Sequence, residues 1–541
     1  MNDGLWLVTS SAYVDQELSA EFGHLPPAFL PVGTKRLYEF QLERLGRTLP
    51  VYMTVPESYL MSPEDVRRIR ELGATVLPVP DGLSLGDAVV FALNLIGGPD
   101  QPVRILHGDT LIAGGFRGLD EIGVAASDEA YSWGAVRLEG GQLVGLETVA
   151  AGMPTSEQRL VACGYFSFKH STALVRGLVR ARGDFLQGIL SYGREHSISA
   201  AEVDSWLDFG HMQTFFRSRR LLASARAFNT LRIDGKTVRK LSKDTEKMEA
   251  EAAWFSNLPP SLGVYSARLI HSGEENGLAF YETEYEHLPT LSELFVFGTL
   301  ARATWMRILH SCHEFLTTCA AELGRESAHP ALRQLATVKT TERLSRFSNE
   351  TGFDINRMLR YDGRPLPSLL QIAEDLEQYI DLKSTRLQNV MHGDFCFSNI
   401  LYSSRVQRIR VIDPRGYVNN GEKSIMGDVR YDLAKLTHSI VGRYDQIIAG
   451  RYAMPTEDNG RFAIEFEAAP HHRWLEEAWE ELEVGGVRAG SAEVRAITIG
   501  LFLSMLPLHS DRPDRQRAFI ANALRLYAGI DDNRVKQERT L

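Results

Sequence analysis

The sequence predicts an α/β chain in two parts: a doubly wound, mostly parallel sheet over residues 1–221, then a bilobal α+β domain over 222–541. Three observations lead there. Up to about Arg220, short β-rich apolar runs alternate with amphipathic helical stretches, the pattern of a parallel sheet covered on both faces. Near residue 222 this gives way to a hairpin with Asp234-Gly235 at its turn. From Ser292 onward helical periodicity dominates. At 541 residues, 44% hydrophobic and 24% charged, the chain has ample core for two or three domains.

The elements follow in order. Leu5–Thr9, Val51–Val55, Thr75–Val79 and Val103–Leu106 read as strands, separated by helical stretches such as Pro63–Leu72 and Leu85–Leu95. Ligands of such sheets bind beyond the carboxyl ends of the strands, which places Ser10-Ser11 and His107-Gly108-Asp109 at a ligand-facing edge. An Arg-rich helix, Phe215–Arg226, leads to the hairpin Leu231–Lys240. Helices are expected at Ala301–Leu323, Ser368–Leu382, Asp432–Tyr444, His472–Leu482 and Arg515–Tyr527, with Asn349–Pro367 as a connecting loop. The apolar run Ile497–Leu508 carries Pro507 and falls short of the roughly 20 residues that cross a bilayer, so it reads as a buried helix and no membrane insertion is expected.

The net charge of −10 is spread without a Lys/Arg run, which argues against nucleic acid as a partner. Cys163, Cys312, Cys319 and Cys396 show no Cys-x-x-Cys spacing, and no basic-then-apolar leader opens the sequence, so the expected compartment is a reducing cytoplasm. Nothing in the pattern fixes an oligomeric state.

The densest chemistry lies in Val390–Leu401 and Val411–Gly416. There Asp394 sits on a tight loop, Asn399 five residues on, and Asp413 at the end of the next apolar strand. ATP-dependent phosphoryl transfer needs a carboxylate to accept the proton of an attacking hydroxyl, and oxygen ligands that hold Mg²⁺ against the phosphates. His-Gly-Asp occurs twice, at His107 and His392, but only the second copy has this continuation and the later run Gly427–Leu436. Over roughly residues 225–530 these motifs resemble the aminoglycoside phosphotransferase and choline kinase-like family. The resemblance implies a protein kinase-like fold, Asp394 as catalytic base, and Asn399 and Asp413 as Mg²⁺ ligands. It also implies a small-lobe Lys on the ATP phosphates, for which Lys240 is the candidate, with Glu251 or else Glu249 as its partner. Asp428 would organise the catalytic loop or cap its helix. No Gly-x-Gly-x-x-Gly loop precedes Lys240.

In the first part, Pro26–Leu42, Leu85-Gly86-Asp87-Ala88, Ile105–Asp109 and Trp206–Gly210 come in the order of motifs in sugar-phosphate nucleotidylyltransferases, and residues 4–220 resemble that family. The resemblance implies Asp109 and Asp208 as ligands of Mg²⁺ that orient a nucleoside triphosphate, CTP or UTP, for attack by a substrate phosphate. It further implies a base-recognition turn at Gly86 and a triphosphate loop around Ser10. The departures are an opening loop without glycine until Gly23 and Pro27 where the family has Lys, with Lys35 or Arg36 as possible replacements.

His438 and His509 read as packing residues, and His471-His472 as a solvated helix start. His310, His313 and Glu314 have near-helical spacing but no third ligand, so no zinc site is assigned. Arg415 and Tyr431 are placed to shape an acceptor pocket. The expectation is a bifunctional enzyme: a kinase of a sugar, polyol or amino alcohol using ATP, joined to a nucleotidylyltransferase that makes an NDP derivative for surface polysaccharide or related synthesis. The alternative is a single small-molecule kinase whose first domain is a non-catalytic binding or scaffold module.

Overall fold

Alternate residues of the strand Leu5–Thr9 (β1) enter two different cores, which is what a strand covered on both faces requires. Leu5 and Leu7 pack with Leu93, Ile105, Phe166, Leu174 and Ile189. Val8 packs with Phe29, Tyr38, Leu42, Met53 and Ile69. This arrangement is seen in a computed structural model that describes residues 4–113, 118–127, 134–148, 159–224, 231–382, 386–417, 423–455 and 461–538. The chain divides into two compact units, Met1–Leu221 with Phe297–Thr299, and Leu222–Val296 with Leu300–Leu541.

The first unit is built on β1, Val51–Pro56 (β2), Ala74–Val79 (β3), Val103–His107 (β4), Thr110–Ala113 (β5), Glu121–Ser127 (β6), Gly134–Glu139 (β7), Gln142–Thr148 (β8), Arg159–Phe168 (β9), Ser199–Glu202 (β10) and Ser205–Asp208 (β11). Nine of these form one sheet in the order β3-β2-β1-β4-β9-β6-β10-β8-β7. Only the β3-β2-β1-β4 half is uniformly parallel. Strand β9 runs antiparallel to β4 and β6, and β8 antiparallel to β10 and β7. The sheet is therefore mixed, a correction to the mostly parallel expectation. For β7 and β8 the cause is local: they are joined by Gly140-Gly141, both at positive φ, and a two-residue turn of that kind makes a hairpin rather than a crossover. Separately, β5 and β11 pair antiparallel, with Asp208 opposite Thr110. Helices Leu37–Leu45 (α1) and Pro63–Glu71 (α2) supply one core, and Leu85–Ile96 (α3) and Ser171–Arg180 (α4) the other.

The second unit opens with a four-stranded antiparallel sheet of Leu231–Ile233 (β12), Thr237–Ser242 (β13), Leu269–Glu275 (β14) and Leu278–Glu284 (β15), in the order β12-β13-β15-β14. The helix Thr245–Asn257 (α5) is capped by Asp244, whose carboxylate accepts from Lys247 N. It packs Met248 and Ala252 onto Ala279 and Tyr281. Further along come Arg302–Ala321 (α6), Lys339–Thr351 (α7), the strands Leu387–Val390 (β16), Ile400–Ser403 (β17) and Arg408–Val411 (β18), then Val429–Ile440 (α8), Pro470–Glu480 (α9), Ala492–Ser504 (α10) and Pro513–Glu538 (α11). Helix α10 is buried along most of its length, and among the described residues no helix is long and apolar enough to cross a membrane.

Two expectations are corrected here. Asn349–Pro367 is not a loop, since α7 continues to Thr351 and Leu359–Tyr361 pairs with Arg364–Leu366. His471 and His472 are buried rather than solvated, and both ring Nε2 atoms meet Phe295 O, at 3.0 and 3.3 Å.

Candidate functional site

In the second unit the chain leaves β16 into a loop whose shape is set by a buried carboxylate. Asp432, in the first turn of α8, accepts the main-chain N–H of His392 at 2.7 Å and of Gly393 at 2.8 Å. Burial raises its pKa to about 7, although those two N–H groups pull the other way. His392 is fully buried: Nε2–H donates to Ile412 O at 3.0 Å, and Nδ1 accepts from Asp394 N at 3.3 Å. Burial lowers its pKa to about 4, so the ring is neutral. Trp254 of α5 closes the back of the loop by donating Nε1–H to Met391 O at 2.8 Å.

On this scaffold Asp394 is held from two sides. Lys435 Nζ lies 2.7 Å from Oδ1, and Asn399 Nδ2 donates to Oδ2 at 2.9 Å and to the main-chain O at 3.0 Å. Burial alone would raise the Asp394 pKa. The Lys435 ammonium outweighs it and holds the carboxyl well below the usual range, while Lys435 itself is raised above the lysine range by Asp394 against its own burial. The carboxylate is still 37% exposed, open to a ligand.

Asn399 O accepts Ile412 N–H at 3.0 Å, which brings the end of β18, and with it Asp413, beside the loop. Asp413 adopts φ +54°. Its Oδ1 takes Lys240 Nζ and Tyr281 OH, each at 3.2 Å. Lys240 at the same time bonds Glu251 Oε2 at 2.8 Å, Glu251 being buried on α5. Glu249 instead pairs with Lys423, so Glu251 is the helical partner of Lys240. Desolvation works against the Lys240 charge, but Asp413 and Glu251 raise its pKa overall. Lys240, Glu251, Asp394, Asn399 and Asp413 thus share one connected network. Their oxygens are hard donors of the kind Mg²⁺ takes.

Asp428 caps α8, accepting Arg430 N at 3.0 Å, and forms a buried ion pair with the Arg430 guanidinium at 2.6 Å. It touches none of the loop atoms that Asp432 holds. Asp432 and Lys435 carry no role in the sequence reading. Their spacing of three on one helix, which puts both on one face, is the signal that points to them.

In the first unit Asp109 and Asp208 are also brought together. Phe209 N donates to Asp109 O at 2.8 Å, and a Cβ added at Gly210 would stand 2.7 Å from Asp109 Oδ2 and 3.4 Å from Asp208 Oδ1. Asp208 is 5% exposed and accepts Thr214 Oγ1–H at 2.5 Å. Burial, then the Asp109 charge, raises its pKa to about 7. Two carboxylates are all this site offers: no group of three His, Cys, Asp or Glu able to hold a metal occurs among the described residues.

The other first-unit candidates are engaged within the protein. Ser10 is 1% exposed, its N–H donating to Thr54 Oγ1 at 2.9 Å and its Oγ accepting Ala28 N–H at 3.0 Å. Lys35 pairs with Glu43 at 2.5 Å. Arg36 is buried against Asp65 at 3.0 Å and donates to Phe29 O at 2.7 Å. Gly86 lies where a Cβ would meet Gly183 O at 2.4 Å, so backbone packing alone accounts for that glycine.

No family model matches the chain, and no curated protein matches it. Among solved structures, UTP-bound UGPase from Acinetobacter baumannii is similar at 15% identity and a TM-score of 0.31, over 42% of this chain and 94% of that one. HddC from Yersinia pseudotuberculosis is similar at 11% and 0.30, over 41% and 100%. A thermostable mutant of aminoglycoside phosphotransferase APH(4)-Ia, in a ternary complex with ADP and hygromycin B, is similar at 13% and 0.35, over 57% and 97%. The solved structures this chain is similar to therefore include nucleotidyltransferases and an aminoglycoside phosphotransferase.

Proposed function

We propose that residues 222–541 transfer the γ-phosphoryl group of ATP to a hydroxyl of a small sugar, polyol or amino alcohol. The observation that carries this reading is the unbroken network Glu251–Lys240–Asp413, continued through the Ile412–Asn399 contact to Asp394 and Lys435. Lys240, fixed by Glu251, would hold the ATP phosphates. Asn399 and Asp413 would hold Mg²⁺, which when bound neutralises phosphate charge. Asp394, ionised through the neutral range, accepts a hydrogen bond from the incoming hydroxyl and orients one lone pair toward phosphorus. The hydroxyl oxygen forms a bond to the γ-phosphorus, the bond to the β,γ-bridging oxygen breaks, ADP leaves, and the hydroxyl proton passes to Asp394. A carboxylate held so acidic is a weak base, so its contribution is alignment and late proton acceptance. A screen of ATP consumption against sugars, polyols and amino alcohols tests this: an acceptor-dependent signal lost in Asp394→Ala supports it, and equal turnover by the variant overturns it.

For residues 1–221 the convergence of Asp109 and Asp208 supports nucleotidylyl transfer from CTP or UTP to the phosphorylated product, giving two steps toward an NDP-activated building block; the surface-polysaccharide setting rests on analogy of fold. A second reading, a binding or scaffold module, is favoured by the internal engagement of Ser10, Lys35 and Arg36, which leaves the triphosphate without the cation and loop that would cradle it. Pyrophosphate release from any of the four nucleoside triphosphates with a sugar phosphate supports the first; its absence, with titrated binding of CTP or UTP retained, supports the second.

A further inference from the structure

Asp394 feels more positive charge than its ion pair with Lys435 supplies, from Arg415 and Lys339 as well. Lys435 is committed to Asp394 at 2.7 Å. Arg415 stacks over the Tyr431 ring at 5.2 Å and donates from Nη2 to Tyr431 OH at 3.3 Å, while its Nη1 is buried with no hydrogen-bond partner. Lys339 and Arg343 stand one turn apart on α7, and Arg343 Nη1 donates to Ser504 O of α10 at 3.1 Å. The Lys339 ammonium has no hydrogen-bond or ion-pair partner among the described residues. Burial and the neighbouring Arg415, Arg343 and Lys435 charges push its pKa down to about 6, and the carboxylate that opposes them, Asp394, already belongs to Lys435. The surrounding guanidinium charges thus disfavour the Lys339 ammonium, and an anion bound among them would both restore that charge and pair the orphaned Arg415 N–H.

ATP does not account for the cluster, because Lys240 on β13, with Glu251 and Asp413, marks the nucleotide side of the network. On that reading the groups whose charges act on Asp394, Lys339 on α7, Lys435 on α8 and Arg415, would face whatever presents the hydroxyl. Resting on the kinase reading above, we infer that the acceptor is an acidic molecule, a hydroxyl compound bearing a carboxylate or a phosphate, whose anionic group is bound by Arg415, Lys339 and Arg343. Arg supplies a planar donor pair suited to either oxyanion, and Lys339 an adaptable point charge. Neutral or amino sugars would leave the Arg415 N–H unpaired and the Lys339 ammonium disfavoured.

The test is calorimetric titration of the full-length protein, saturated with Mg²⁺ and a non-hydrolysable ATP analogue, with D-glycerate, D-glucuronate and glucose 6-phosphate against glycerol, glucose and glucosamine. The carboxylate and phosphate arms distinguish the two sources of negative charge. At least one acidic compound is expected to bind at least tenfold more tightly than its neutral counterpart. Lys339→Met and Arg343→Met should each weaken it about tenfold, the loss of one charge-assisted contact, with affinity for the ATP analogue unchanged. Equal binding of neutral and acidic compounds, unchanged affinity in both variants, or no acidic compound binding at millimolar concentration overturns the inference. Failure of the ATP analogue itself to bind would overturn the kinase reading instead.

Discussion

Removing the ammonium beside Asp394 should change both the stability of the second unit and the way that stability depends on pH. In Lys435→Met the stem is kept and the charge lost. Breaking a fully buried ion pair from one side costs about 3–5 kcal/mol. Lys435 is 11% exposed but Asp394 is 37% exposed, so water recovers part of that loss and about 1–3 kcal/mol is expected at pH 8. In the native protein the Asp394 pKa is depressed, so its stabilising contribution is present above the unfolded value near 3.9 and is lost only as pH falls through the lower folded value. Without Lys435, burial dominates and the folded pKa rises above the unfolded one. The variant then binds a proton on folding in mild acid and becomes relatively more stable there. The gap between native and variant protein should therefore narrow from pH 8 to pH 5. Urea unfolding followed by Trp254, whose ring lies 5.4 Å from His392, reports on this loop. A gap that stays constant across that range, or a variant more stable at pH 8, would refute the reasoning.

Other expectations follow from the same geometry. Lys240→Met should weaken ATP binding at least tenfold, the order of one charge-assisted contact, in a nucleotide titration, and Glu251→Gln should do so less because the ammonium keeps Asp413. In the first unit the Asp208 pKa is raised to about 7, so its contribution to stability falls as pH rises from about 4 to about 7. Asp208→Asn should raise the unfolding temperature at pH 8, by at most about 4 kcal/mol in free energy, and flatten that dependence; calorimetric scans at pH 5 and 8 read both. Gly86→Ala should destabilise the first unit by about 1–3 kcal/mol, since the added methyl meets Gly183 O, and a thermal shift under 1 °C would argue that the two backbones move apart freely.

Much of this was legible in the residues, and the failures have physical reasons. The strands at Leu5, Val51 and Val103 stand out because both faces are largely buried and their apolar runs are nearly continuous, and the edge strand at Ala74 because Val76, Leu77 and Val79 keep an apolar run although Thr75 and Pro78 are exposed. Strands β6 to β10 are weaker: β7 is half exposed and carries Arg137 and Glu139, so the hairpin signal lay in Gly140-Gly141 rather than in hydrophobicity. The His-Gly-Asp loop and Asp413 could be picked out because spacing along the chain mirrors their placement in space. The groups that hold Asp394 are remote from it in sequence. Asp432 and Lys435 looked like ordinary helix residues, and nothing local tells that Lys339 and Arg343 lie beside Arg415. Buried His471 and His472 misled because polar side chains at a helix start are commonly solvated, whereas here Phe295 O receives them both.

The most direct measurement is transfer of the labelled γ-phosphoryl group of ATP to an acceptor by the native protein and by Asp394→Asn, with affinity for Mg²⁺-ATP measured alongside. The account predicts nucleotide affinity within about threefold of native and transfer reduced by at least a hundredfold, the range a positioned acid–base group supplies. Transfer at near-native rate by the variant, with the nucleotide bound, would contradict it.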